Sequence, residues 1–144
     1  MVGDRAPDFD LEDQEERKTS LKSLHGKKVL LAFFPFAFSP VCTDEMCFFD
    51  RDMDTFRKMR IHILGISTDS KWSLKAFSEK LDIHFPLLSD FSKKICQSYE
   101  VLRKEGFSER AYILVDENGC IAFKKIMESP GEKLENSDLL QFLE

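Results

Sequence analysis

The chain has 144 residues, 42% of them hydrophobic and 33% charged, with 14 Phe and a net charge of 21 − 26 = −5. That hydrophobic share fills a core and excludes wholesale disorder, and no apolar run reaches the length of a membrane-spanning helix. The acidic balance argues against a nucleic-acid or membrane-surface partner, while four cysteines (Cys42, Cys47, Cys96 and Cys120) are too few and too dispersed for a disulfide-stapled scaffold.

The opening Met1-Val2-Gly3-Asp4-Arg5 lacks the apolar stretch of a secretory leader, so a cytoplasmic setting with free thiols is expected. No repeat, linker or low-complexity tract divides the chain, and residues 1–144 are expected to form one domain. The charged run 10–18 reads as a solvated turn or hairpin tip. Residues 28–36 include the continuously apolar Val29-Leu30-Leu31-Ala32-Phe33-Phe34, which suits a strand buried on both faces. From 41 to 59, Met46, Phe49, Met53 and Phe56 recur at spacings of three, four and three, one face of a helix. A second buried strand follows at 60–67, then a helix containing Trp72, Lys75, Ala76 and Phe77 that ends near Leu81. Asp90 is placed to cap a short helix running through Ile95 to Tyr99. Strands 111–115 and 120–126 flank Asp116-Glu117-Asn118-Gly119, a strong hairpin turn, and Asn136-Ser137-Asp138 opens a last short helix. This order predicts an α/β layer fold. The early strands are parallel across helical crossovers and the late hairpin is antiparallel, an arrangement that resembles a thioredoxin-like domain.

The informative segment is Pro35-Phe36-Ala37-Phe38-Ser39-Pro40-Val41-Cys42-Thr43-Asp44-Glu45. It follows a buried strand and opens a helix, so Cys42 falls in the first helical turn, where free N–H groups and the helix dipole favour a thiolate. Four residues before Met46, Cys42 lies at the edge of the apolar face. Ser39 can present a hydroxyl near the sulfur, and Pro35 and Pro40 stiffen the approach.

The motif Pro35-x-x-x-Ser39-x-x-Cys42, followed by Thr43-x-Glu45, resembles the active site of peroxiredoxins. Gly3-Asp4-x-Ala6-Pro7-Asp8-Phe9, Leu64-Gly65-Ile66-Ser67-x-Asp69 and Phe85-Pro86-Leu87-Leu88-Ser89-Asp90 extend the resemblance over nearly the whole chain. The bacterioferritin-comigratory (PrxQ-like) branch fits best, because Cys47 follows Cys42 by five residues. The resemblance implies a thioredoxin-like fold with a central mixed sheet flanked by helices, and a thiol-dependent peroxidase without a cofactor or metal. Its substrates would be hydrogen peroxide and alkyl hydroperoxides, and its reductant thioredoxin or a similar dithiol. Cys42 would become a sulfenic acid. Arg110, with Ser39 and backbone N–H groups, would hold the peroxide oxygens, Pro35 would shield the sulfur, and Glu45 would orient Arg110. Ser39 stands where threonine is more frequent, which keeps the hydroxyl.

Cys47 is the expected resolving thiol. On an intact helix its Cα lies about 8.6 Å from that of Cys42, whereas a disulfide needs about 7 Å or less, so the first turn must unwind. Cys96 and Cys120 are expected to be packing thiols, and Trp72 is expected in the core. Arg51 reads equally as a contributor of charge to the site or as a solvated residue. His25, His62 and His84 have no metal-ligand spacing. Three other readings stay open: a one-cysteine peroxidase with an external thiol, a thioredoxin-type exchanger, and a redox-switched binding or chaperone module. The exchanger would want Cys-x-x-Cys, whereas four residues intervene here. A monomer or weak homodimer is expected, without intermolecular disulfides.

Overall fold

The apolar runs at 29–34 and 61–66 become adjacent parallel strands at the centre of a five-stranded sheet, because each is buried on both faces and a helical crossover returns the chain to the same sheet end. The computed structural model describes residues 1–129 and 131–143. In chain order the elements are β1 (Asp10–Glu12), β2 (Lys18–Ser20), β3 (Lys28–Phe33), α1 (Pro40–Arg51), α2 (Met53–Lys58), β4 (Ile61–Ser67), α3 (Lys71–Leu81), β5 (Leu87–Ser89), α4 (Lys94–Ser98), β6 (Ala111–Val115), β7 (Ile121–Ile126) and α5 (Asn136–Leu143). The main sheet has the order β5-β4-β3-β6-β7, in which β3, β4 and β5 are parallel, β6 pairs antiparallel with β3, and β7 pairs antiparallel with β6. β1 and β2 form a separate hairpin around the charged run. This is a thioredoxin-like fold, as the element order predicts.

Side chains alternate across the central strands and build a core on each face of the sheet. One face gathers Leu30, Ala32, Phe34 and Tyr112 with Cys42, Met46, Phe49 and Phe56 from α1 and α2. The other gathers Leu31, Phe33, Ile66 and Ala111 with Cys96 and Tyr99. Gly65 lets the first face close: a Cβ there would meet Leu87 Cδ2 at 2.7 Å and Met46 Sδ at 3.5 Å. The β6–β7 turn needs Gly119, whose φ is +82°, while the Asp116 carboxylate accepts the N–H groups of Asn118 and Cys120.

Three sequence expectations need correction. The single helix over 41–59 is two helices broken at Asp52. There the side chain of Asn136 donates to the Phe48 carbonyl (2.9 Å) and to the Asp52 carboxylate (2.9 Å), fixing the break from outside. Residues 87–89 form an edge strand, β5, which the expected element order does not include; three residues are too few to show a period. Trp72 is 70% exposed, because the buried face of α3 is carried by Leu74, Phe77 and Ser78. No helix among the described residues is long and apolar enough to cross a membrane.

Candidate active site

The loop after β3 is held from three directions. Phe34 and Pro35 are buried, the Ala37 N–H donates to the Asp69 carboxylate at 2.8 Å, and the Ser39 hydroxyl donates to the Phe36 carbonyl at 3.0 Å. Asp69 is itself fixed, accepting from the Ser67 hydroxyl (2.8 Å) while its carbonyl accepts from Ser89 (2.6 Å). Phe38, with φ of +69°, turns the chain through the left-handed region, which a bulky residue occupies only under constraint. Ser39 is the extended N-cap residue of α1, Pro40 stands at its start, and Cys42 lies in the first turn, fully buried.

Register brings the arginine to this turn. Ala111 of β6 pairs with Phe33 of β3, so Arg110 lies beside the strand end from which the loop departs. Arg110 and Tyr112, two residues apart, share the sheet face that α1 covers. Cys42 and Glu45, three apart, share one face of α1. The result is a linear chain of polar contacts across a buried interface. Arg110 Nη2 donates to Cys42 Sγ at 2.9 Å, and Nη1 donates to Glu45 Oε1 at 2.7 Å. The Tyr112 hydroxyl donates to Glu45 Oε2 and accepts from the Leu134 N–H at 3.1 Å. Arg110 and Glu45 are 1% and 2% exposed.

Charge in this pocket survives by pairing. Burial pulls the Arg110 guanidinium down, but its interactions with the Glu45 carboxylate and the Cys42 sulfur outweigh it and the net direction is up. Burial pushes the Glu45 carboxyl up, against Arg110 and Tyr112, which both favour the anion. The two directions oppose each other. The 2.7 Å contact, with a second donor on the other carboxylate oxygen, is the geometry of an ion pair. Burial, the phenol's first cause, and the adjacent carboxylate push Tyr112 far above its usual range, so it remains a donor.

Cys42, Arg110 and Glu45 are thus brought together, while Ser39 and Pro35 line the approach loop. Cys47 lies further along the intact α1, half-buried, and both thiols are free. Burial, followed by the carboxylates of Asp44 and Asp50, pushes the Cys47 thiol up. Cys96 belongs to the core on the other sheet face, and burial pushes its thiol far up, with Asp90 adding to it. Half-buried Cys120 forms a backbone bridge with Arg5. Arg51 points to solvent, over the Phe48 ring at 4.6 Å and near Asp52 at 3.5 Å. Sequence reading missed Tyr112 and Asp69 as parts of the site. A buried tyrosine needs a partner for its hydroxyl, and that was the available signal for the first.

Residues 2–124 match the AhpC/TSA family. The chain belongs to that family. It is a peroxiredoxin, a thiol peroxidase of the bacterioferritin-comigratory type, in keeping with its relatives. It is 36% identical to Peroxiredoxin Bcp of Escherichia coli K12 over 127 residues, covering 83% of this chain and 81% of that protein. To a putative peroxiredoxin bcp of Coxiella burnetii it is 38% identical over 128 residues, covering 84% and 85%. Among solved structures, the reduced 2-Cys peroxiredoxin of Plasmodium vivax matches with a TM-score of 0.89 and 30% identity, covering 98% of this chain and 93% of that one. Peroxidoxin BcpB of Mycobacterium tuberculosis matches with a TM-score of 0.83 and 29% identity, covering 90% and 88%. Among the described residues no group of three or more His, Cys, Asp or Glu could hold a metal ion.

Proposed function

We propose that Cys42 is the thiol through which this peroxiredoxin reduces hydrogen peroxide and alkyl hydroperoxides. The observation that carries this reading is the 2.9 Å contact from a buried, carboxylate-paired arginine to the Cys42 sulfur. A fixed cation there favours the anionic nucleophile, and its donors face the place where charge develops as the O–O bond breaks. The thiolate attacks one peroxide oxygen, forming S–O and breaking O–O. The departing oxygen takes a proton and leaves as water or alcohol, and sulfur is oxidised by two electrons to sulfenic acid. Arg110 holds the oxygens, and Glu45 fixes Arg110. Ser39 turns its hydroxyl from the Phe36 carbonyl toward the substrate, and Pro35 keeps water from the sulfur.

Resolution follows by attack of the Cys47 thiolate on the Cys42 sulfur, with S–S forming and the hydroxyl leaving as water. On the helix the two Cα atoms stand about 8.6 Å apart and must come within about 7 Å. The first turn of α1 therefore unwinds before the disulfide closes. A thioredoxin-like dithiol then exchanges with the disulfide, restoring both thiols and becoming oxidised itself.

The test is peroxide consumption with thioredoxin, thioredoxin reductase and NADPH. Cys42→Ser should abolish turnover, and Cys47→Ser should stop it after one equivalent of peroxide. An active Cys42→Ser overturns the reading. Sustained turnover of Cys47→Ser with a small thiol would make the enzyme a one-cysteine peroxidase.

A further inference from the structure

The net charge of −5 conceals a basic pole. Parallel pairing sets Lys28 beside Ile61 and Val29 beside His62, so the chain entering β3 and the chain entering β4 run side by side. Lys27 and Lys28 therefore meet Arg60 and His62. Arg57, in the last turn of α2, joins them through a tight turn in which the Arg60 N–H donates to the Arg57 carbonyl at 2.9 Å and Arg60 has φ of +61°. These five residues line a cavity of about 540 Å³ in which, among the described residues, Glu117 is the one acidic group. Among the described residues Lys27, Lys28 and Arg60 make no ion pair, and Arg57 makes an exposed one with Asp54 at 3.1 Å. Burial, then the charge of Lys27, holds the His62 imidazole below its usual range, leaving a neutral hydrogen-bonding group among the cations. Such an excess of positive charge in an acidic protein attracts an anion.

A second cavity of about 370 Å³ adjoins the first through Arg57, Arg60 and His62, and Leu24, Met53, Phe56, Phe85 and Pro86 make its apolar walls. Both volumes fall within the roughly 300–1,000 Å³ of small-molecule sites. We propose that this pole binds a nucleoside diphosphate, with the phosphates among Lys27, Lys28 and Arg60 and the base in the apolar cavity between Met53 and Phe85. Guanidinium forks match phosphate oxygens in pairs, and the apolar walls accept a planar ring that a bare anion lacks. The site lies at the starts of β3 and β4, whereas the Cys42 loop leaves the end of β3, about 17 Å along the strand. Occupancy here is separate from the peroxide's place.

The experiment titrates the full chain with ADP, adenosine and pyrophosphate, following amide resonances. ADP should saturate one site with shifts centred on Lys28, Met53 and His62, and bind at least about tenfold more tightly than either half. Lys27→Gln/Arg60→Gln, both exposed positions, should weaken ADP at least about tenfold and leave peroxide consumption unchanged. Lys27→Gln alone, expected to weaken it severalfold, serves should the double variant misfold. Pyrophosphate binding as tightly as ADP would reduce the site to a bare anion patch and overturn the proposal. So would absence of saturation, shifts centred on the Cys42 loop, or a single-stranded oligonucleotide outcompeting ADP. Peroxide turnover, read in parallel, keeps any of these failures distinct from failure of the peroxidase reading.

Discussion

Arg110 Nη2 lies 2.9 Å from Cys42 Sγ although the two residues are 68 positions apart, and the same guanidinium reaches Glu45 with its other nitrogen. Lysine offers one compact charge and cannot span both partners. Arg110→Lys should therefore lower the rate of sulfenic acid formation by about 10²–10³-fold, read by stopped-flow fluorescence. Arg110→Met should in addition cost about 3–5 kcal/mol of stability in chemical denaturation, because Glu45 is left buried and unpaired.

Tyr112→Phe removes one hydroxyl and orphans two groups, the second oxygen of Glu45 and the Leu134 N–H. A loss of about 1–3 kcal/mol is expected. Faster amide exchange at Leu134 would locate the damage.

Asp69→Ala should loosen the thiol loop, since the Ala37 N–H and the Ser67 hydroxyl both lose their acceptor. The expected cost is about 1–3 kcal/mol, with a fall in kcat/KM of about tenfold. Asp69→Asn keeps one oxygen acceptor and should recover most of both, a pattern that general unfolding would not produce.

The Cys47 thiol is raised by burial and by Asp44 and Asp50. The folded form therefore binds this proton more tightly than the unfolded chain does. Its contribution to stability is complete below the ordinary thiol range and is lost as pH rises through the folded value. In Cys42→Ser, alkylation of Cys47 by iodoacetamide should show a midpoint above that of an ordinary thiol, and urea should bring it down. A midpoint unchanged by urea would contradict this.

His84 is raised chiefly by its hydrogen bond to Asp50, then by the charges of Asp50 and Asp82. The sign is again that of a raised group: the contact stabilises fully below the ordinary imidazole value and fades as pH climbs through the folded one. His84→Gln should lower the melting temperature at pH 5 and match the parent protein at pH 9. The backbone bond from the His84 N–H to Asp50, at 2.6 Å, is common to both proteins.

The β3 and β4 runs and the β6–β7 hairpin are legible in the sequence because burial on both faces and turn chemistry leave local marks. Cys42, Ser39 and Glu45 are legible for the same reason, lying within one helix start. The partnership of Arg110 with Cys42 depends on the antiparallel register of β6 on β3, which no short window contains; only the resemblance pointed to it. The break at Asp52 is set by Asn136, 84 residues away, while the apolar spacing of Met46, Phe49, Met53 and Phe56 runs through it unchanged. Trp72 misled because its size suits a core, whereas α3 spends that face on solvent. The basic pole was hidden by summation, since net charge averages over a surface that pairing of β3 with β4 sorts by sign.

The interruption at Asp52 has a mechanical consequence. Helical cooperativity passes through consecutive residues in helical conformation, and it is weakened at Asp52, whose φ of −97° and ψ of 14° leave the helical values. α1 is a segment of twelve residues bearing both Cys42 and Cys47, whereas α2 anchors Phe56 in the core. The loss of a turn at the start of α1 that the proposed resolution requires would therefore remain within α1. In the proposed cycle the junction would act as a joint that confines the motion of the reactive segment and shields the rest of the core.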